Sequence, residues 1–410
     1  MKNLKLIGPI AQLLTLERLH LKGALKDEQL EIISQAGILI QGEKILKVGS
    51  WLDLKKEFTQ AELFELEGDY VALPGLVDCH THICFGGSRA KDFTMRNAGK
   101  TYLEIAQAGG GIWDTVTQTR KLSLEELAEK TTKNANRHLS EGVTTIEVKS
   151  GYGLSVEEEL KMLWAIRQAN QATSADLIPT CLAAHMKPRD FQGSNSEYLN
   201  QIAAQLLPIL KTENLCNRID AFVEKSAFSP EEITPYFHKA KEMGFVLTVH
   251  ADQFSAGGSK VAVELGALSA DHLEASGEEE IQLLSKSNTM AVALPGASLG
   301  LGCDFTPARQ LLNQGGGLAI ASDWNPGSAP MGDLIAQASI LATFEKLSTA
   351  EVFAGITFRA AAALGLADRG KIASGLLADF ILFSTSDYRE ILYHQGKLKP
   401  VIVWKNGQRL

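Results

Sequence analysis

Eight short apolar or β-branched runs, separated by longer amphipathic stretches, fill the middle of this chain: Leu76–Ile83, Val143–Lys149, Asp176–His185, Ile219–Glu224, Phe245–His250, Leu268–Glu274, Thr289–Leu294 and Leu318–Asp323. Parallel strands covered on both faces read as continuous apolar runs and need long crossovers, so the alternation points to repeated strand–helix units. Helices are expected over Ser155–Ala172, Pro230–Met243 and Gly332–Leu347. A doubly wound open sheet alternates in the same way, but it usually has fewer strands and a glycine-rich first turn. The polar residues decide between the two. His80 and His82, Lys149, His185, Glu224, His250, His272 and Asp323 stand at or near the C-terminal ends of seven of the runs. In a closed barrel all those ends meet at one mouth. The expected fold class is α/β, a (β/α)8 TIM-like barrel.

The two ends of the chain read differently. Gly37–Ile40 and Lys44–Gly49 flank Gln41-Gly42-Glu43 and suggest a hairpin, while Asp379–Phe383 and Pro400–Gly407 read as strands, the second closing on Asn406-Gly407. A small β-sandwich domain built from 1–70 and 366–410 is therefore expected beside a barrel over 71–365.

With 410 residues and 45% hydrophobic content the chain has ample material for a large core. Its net charge of -8 is spread along the sequence, which argues against a nucleic-acid partner. Five dispersed cysteines without a C-x-x-C pair fit reduced thiols in a cytoplasmic protein and exclude a structural cysteine–zinc site. Glu17, Arg18 and His20 interrupt the N-terminal apolar stretch, so no secretory leader is expected, and no apolar run is long enough to span a membrane.

The strongest chemical signal is Asp78-Cys79-His80-Thr81-His82, because alternate residues leaving a strand can place two imidazoles on one metal ion. His250 and Asp323 end distant runs and supply plausible third and fourth ligands; three imidazoles and a carboxylate suit Zn(II) or iron. His185 and His272 also end runs and are assigned to the active site, whereas His20, His138, His238 and His394 are given packing or surface roles. Arg89, in Phe85-Gly86-Gly87-Ser88-Arg89, can reach over the mouth and grip a substrate carboxylate. Tyr152 is flanked by glycines that let the backbone approach a ligand. Lys149 is read chiefly as a buried ion pair with Glu147 or Glu224. Gly99-Lys100-Thr101 and Gly109-Gly110-Gly111 lack the spacing of a phosphate loop, and neither a G-x-S-x-G elbow nor a cysteine nucleophile motif is present. An activated water is the simplest nucleophile.

Pro74–His82, together with the histidines at the ends of the runs and the final aspartate, resembles the amidohydrolase superfamily. More narrowly, Phe85–Arg89, Gly109–Ile112, Glu147–Gly153, His250–Phe254 and Asp323–Ser328 resemble the imidazolonepropionase family within it. The resemblance implies one zinc or iron ion on His80, His82, His250 and Asp323. It implies a carboxylate-bearing small-molecule substrate surrounded by Arg89, Tyr152, His185, Asn325, Gly327 and Ser328, with His272 and Gln253 beside the reacting ring and Asp323 and His272 in catalysis. The implied reaction is hydrolytic opening of 4-imidazolone-5-propanoate, and the implied assembly is a homodimer. Related deaminases carry glutamate where this chain has Gln253, an amide with no titratable proton, which argues against deamination. With Glu224-Lys225 at the fourth strand end, no second metal is expected.

Overall fold

The computed structural model describes residues 4–410. Eight parallel strands, Leu76–Asp78, Val143–Lys149, Asp176–Ala184, Arg218–Val223, Val246–Ala251, Ser269–His272, Met290–Ala293 and Leu318–Ile320, pair in chain order. Each overlaps one of the expected runs. The first and last strands are stitched together just beyond their ends. Thr81 and Trp324 form a parallel bridge, Asp323 N–H donates to the His80 carbonyl at 3.0 Å, and His82 N–H donates to the Trp324 carbonyl at 2.9 Å. Below them Asp78 Oδ1 accepts the Ser322 N–H at 3.0 Å. The sheet is thus a barrel whose seam runs through three of the expected metal ligands.

Helices on the outside start where the sequence places serine three residues before glutamate. Ser123 with Glu126, Ser194 with Glu197, Ser229 with Glu232 and Ser348 with Glu351 each form a reciprocal capping box. Such a box satisfies two otherwise orphaned backbone donors and fixes where the preceding loop must end. The helices Val156–Ala172, Pro230–Glu242 and Leu334–Glu345 lie within the expected segments, shorter by up to two residues at an end.

The termini join in one mixed sheet. Leu4–Leu14 pairs with Ile32–Gln41 and with Val71–Pro74, which in turn pairs antiparallel with Phe380–Phe383 and so leads to Ile402–Lys405. Val71–Pro74 belongs to this sheet rather than to the barrel. One apolar face, with Ile7, Ile38, Ile40, Phe380, Leu382 and Trp404, forms a core of its own. Trp404 stacks on Phe380, its partner on the adjacent strand, at 5.5 Å and meets the edge of Phe64 at 5.3 Å between centroids, so aromatic rings from both ends of the chain meet over that core. The opposite face carries Leu73, Ile381, Phe383 and Val403 into the main core of the barrel. No helix among the described residues is long and apolar enough to cross a membrane.

Candidate active site and metal centre

His80 and His82 leave the first strand on alternate residues and turn toward His250 at the end of the fifth. One nitrogen from each of the three lies within 4.8 Å of the others. Asp323, just past the eighth strand, adds Oδ1 at 3.4 Å from His82 Nε2 and 3.6 Å from His80 Nε2. The outer nitrogens of two of these rings are already committed: His80 Nδ1 to Asp271 Oδ2 at 2.7 Å and His250 Nδ1 to Asp220 Oδ2 at 2.9 Å. Nδ1 therefore carries the proton in both rings, and Nε2 turns its lone pair inward. His80 Nε2 is buried without a hydrogen-bond partner, and His250 Nε2 faces His82 Nε2 at 3.3 Å. Three buried ring nitrogens, one of them without any partner, converging on a carboxylate fit a cation in their midst. Burial pushes His80 and His82 well below the usual histidine range and takes His250 to about 3 despite Asp220, so all three are neutral and ready to bind a metal at pH 7.

Above these ligands opens a cavity of about 600 Å³ lined by His82, His250 and Asp323 and by every other sequence-derived candidate: Arg89, Tyr152, His185, Gln253, His272, Asn325, Gly327 and Ser328. His80 lies beneath it, fully buried. Arg89 is held by Asp92, whose Oδ2 accepts Arg89 Nε at 2.7 Å and the Gly111 N–H at 2.8 Å. A side chain at Gly110 would put Cβ 2.2 Å from Asp92 Oδ1, which accounts for glycine in that loop. Tyr152 sits on a loop clamped by buried Glu159, which accepts N–H bonds from Gly151, Gly153 and Leu154 at 3.0, 2.8 and 2.7 Å. His185 joins the same loop through Nδ1 to the Gly151 carbonyl at 3.0 Å and stacks on His82, and burial lowers its pKa to about 4.

His272 has Glu274 Oε1 3.4 Å from its Nδ1; burial would lower its pKa, but the Glu274, Asp323 and Asp271 carboxylates together outweigh that and raise it. Asp323 is pushed up to about 7 by burial, with His272 opposing the shift. The Asn325 side chain is spent on its own turn. Its Nδ2 donates to the Asp323 carbonyl at 2.7 Å and its Oδ1 accepts from the Gly327 and Ser328 amides at 2.7 and 2.8 Å. It shapes the wall of the cavity through these contacts. Gln253 follows Asp252 on a loop that Glu224 holds by accepting the Phe254 and Ser255 amides at 2.9 and 3.0 Å.

Several buried groups escaped the sequence reading. Lys149 pairs with Glu147 as expected, but its other near partner is Asp220, while Glu224 is occupied by the Gln253 loop. His138 has a buried packing place, with Nε2 3.2 Å from Asp78 Oδ2 and its ring edge against Trp324. The signal for Asp220 was present: a lone aspartate inside Arg218–Val223, an otherwise buried strand, needs a partner. Asp92, Asp271 and Glu159 gave no such sign, being acidic residues in mixed surroundings.

Residues 71–410 match the model of the Amidohydrolase family. The imidazolonepropionase of Bdellovibrio bacteriovorus is 39% identical, with 99% of this chain and 96% of that protein aligned. That of Rhizobium meliloti is 42% identical over 90% of this chain and 89% of its own. A solved adenosine deaminase from Xanthomonas campestris with bound zinc shares the fold at a TM-score of 0.71 and 19% identity, over 98% of this chain and 92% of that one. The chain belongs to the amidohydrolase family and, within it, to the imidazolonepropionases.

Proposed function

We propose that this chain hydrolyses 4-imidazolone-5-propanoate to N-formimino-L-glutamate, a step of histidine degradation. The observation that carries the reading is the meeting, in one cavity, of a histidine–aspartate metal centre and the anchored guanidinium of Arg89. The chain's similarity to imidazolonepropionases along nearly its whole length supports it.

His80, His82, His250 and Asp323 would hold a single zinc or iron ion, which would supply Lewis acidity to polarise a carbonyl and to lower the pKa of water from about 15.7 toward 7. The remaining work belongs to the side chains. Arg89 takes the propionate with the guanidinium nitrogens that Asp92 leaves free, and Tyr152 and His185 close the other side of the ring. His272 donates toward the ring carbonyl oxygen as negative charge develops there. Water adds to the carbonyl carbon, the adjacent carbon–nitrogen bond breaks, and Asp323 with His272 moves the proton from water to the departing nitrogen. Gln253 orients the ring by hydrogen bonds alone. The reading carries with it a cytoplasmic enzyme, in keeping with its five dispersed cysteines, and a homodimer, which rests on family resemblance alone.

The test is turnover of freshly prepared 4-imidazolone-5-propanoate by metal-assayed protein, following loss of the imidazolone absorbance and assaying ammonia in parallel. Loss of the ring without ammonia is expected. Absence of turnover by protein holding one metal per chain would overturn the reading and favour a ring aminohydrolase.

A further inference from the structure

Beneath the metal centre lies a charged cluster to which the reaction assigns no task. Lys149, fully buried on the second strand, places Nζ 2.8 Å from Glu147 Oε2, 2.8 Å from Asp220 Oδ2 and 3.7 Å from Asp271 Oδ2. The two aspartate oxygens are the same atoms that accept His250 Nδ1 and His80 Nδ1. One ammonium therefore sits between the two carboxylates that orient two separate ligands, on the fifth and first strands. Glu147 has a different place: it shares a strand face with Lys149 two residues away, accepts the Thr180 hydroxyl at 2.5 Å, and lies 3.6 Å from Arg218. It touches no ligand histidine.

From this geometry we infer that Lys149 is a positioning residue for the metal centre. Its ammonium pins Asp220 and Asp271 where each receives an Nδ1–H, and so turns the Nε2 atoms of His250 and His80 toward the ion together. A plain ion pair with Glu147 would need neither aspartate, and an apolar residue at 149 would leave Asp220 held beside its imidazole only by the His250 amide at 3.2 Å and Asp271 only by the Thr248 hydroxyl at 3.2 Å. Groups behind metal ligands fix tautomer and ring orientation, and their loss typically costs roughly 10–100-fold in metal affinity or activity. The inference rests on the metal centre and not on the identity of the substrate.

The full-length protein loaded with Co(II) gives the test. Its readouts are the rate of metal loss to a chelator, the Co(II) absorption bands, and melting of the metal-free form. Glu147→Gln should lose metal within about twofold of the wild-type rate, because Glu147 contacts no ligand. Lys149→Met with Glu147→Gln removes the ammonium with one balancing carboxylate; it should lose metal roughly 10–100-fold faster, with shifted bands and metal-free melting close to that of Glu147→Gln. A folded double variant that keeps its metal and spectrum overturns the inference. If that variant does not fold, Asp220→Asn, Asp271→Asn and their combination decide, with Lys149 in place. Coupling through one ammonium makes their effects on metal loss non-additive by about threefold or more, whereas additive effects overturn it.

Discussion

Replacing Arg89 with methionine isolates the grip on the substrate carboxylate that is proposed for it. The side chain is only 15% exposed, and its Nε is already bound to Asp92 at 2.7 Å. The guanidinium therefore waits in one orientation and loses little freedom when a carboxylate arrives. Methionine fills much of the same volume, so the change removes charge and donors without opening a large hole. Hydrogen bonds to charged groups contribute about 1.5–3 kcal/mol, which converts to roughly 10–150-fold in affinity at about 1.4 kcal/mol per decade. Steady-state kinetics should be run on the acid substrate and on an analogue bearing a propionamide in place of the propionate. Arg89→Met is expected to raise KM for the acid by roughly that factor while leaving KM for the amide nearly unchanged, so that the preference for the acid collapses. An unchanged KM for the acid, or an equal rise for both compounds, would refute the assignment and return Arg89 to a role in folding the loop.

His272→Ala should keep its metal, measured by elemental analysis, yet lose roughly 10²–10³ in kcat, the usual loss for one oxyanion donor; normal turnover by metal-replete protein would exclude the donor role. Glu159→Ala leaves three buried amides without an acceptor, so it should cost about 3 kcal/mol of stability by denaturant titration and raise KM as the Tyr152 loop relaxes. The metal-free protein should show a pH signature. Burial raises Asp323 from 3.8 to about 7, with His272 opposing the shift, and the folded state then binds the proton more tightly than the unfolded chain. That contribution to stability is present below pH 3.8 and is lost as pH rises toward about 7. Metal binding must expel the same proton, so affinity should climb about tenfold per pH unit below 7 and level off above it; calorimetry in buffers of differing ionisation enthalpy reads the released proton, and a flat profile would contradict the assignment of Asp323 as a ligand.

The barrel was legible because its strands are buried on both faces. Met290–Ala293 is a continuous apolar run for that reason and Val143–Lys149 is one broken only by the paired Glu147 and Lys149, and the histidines could be placed because they stand where such runs stop. The residues that prepare the site were not legible, because each acts across the fold. Asp271 precedes His272 in sequence, yet its partner is His80, nearly two hundred positions earlier. Glu159 looks like one more acid in the first turn of a helix, and only the folded loop shows that its carboxylate faces three backbone amides. At Asn325 the fold adds what the sequence does not show: its amide accepts the Gly327 and Ser328 N–H groups and so builds the turn that lines the cavity.

Where the backbone is strained bears on how the centre is held. Asp252, His272, Leu273 and Asp323 have φ values of 52°, 86°, 71° and 50°, a region that residues with side chains rarely enter. All four follow or end barrel strands at the mouth. Each such residue costs about 1–3 kcal/mol and persists only where its surroundings over-determine it. At Asp323 those surroundings are the seam: its own N–H is tied to the His80 carbonyl, and its neighbours Ser322 and Trp324 are tied to Asp78 and His82. The Asp323 carboxylate is thus placed by backbone bonds to the segment that carries His80 and His82. The bonds that close the barrel are the same ones that set Asp323 beside His80 and His82, so this group of side chains is expected to come together only in the folded chain.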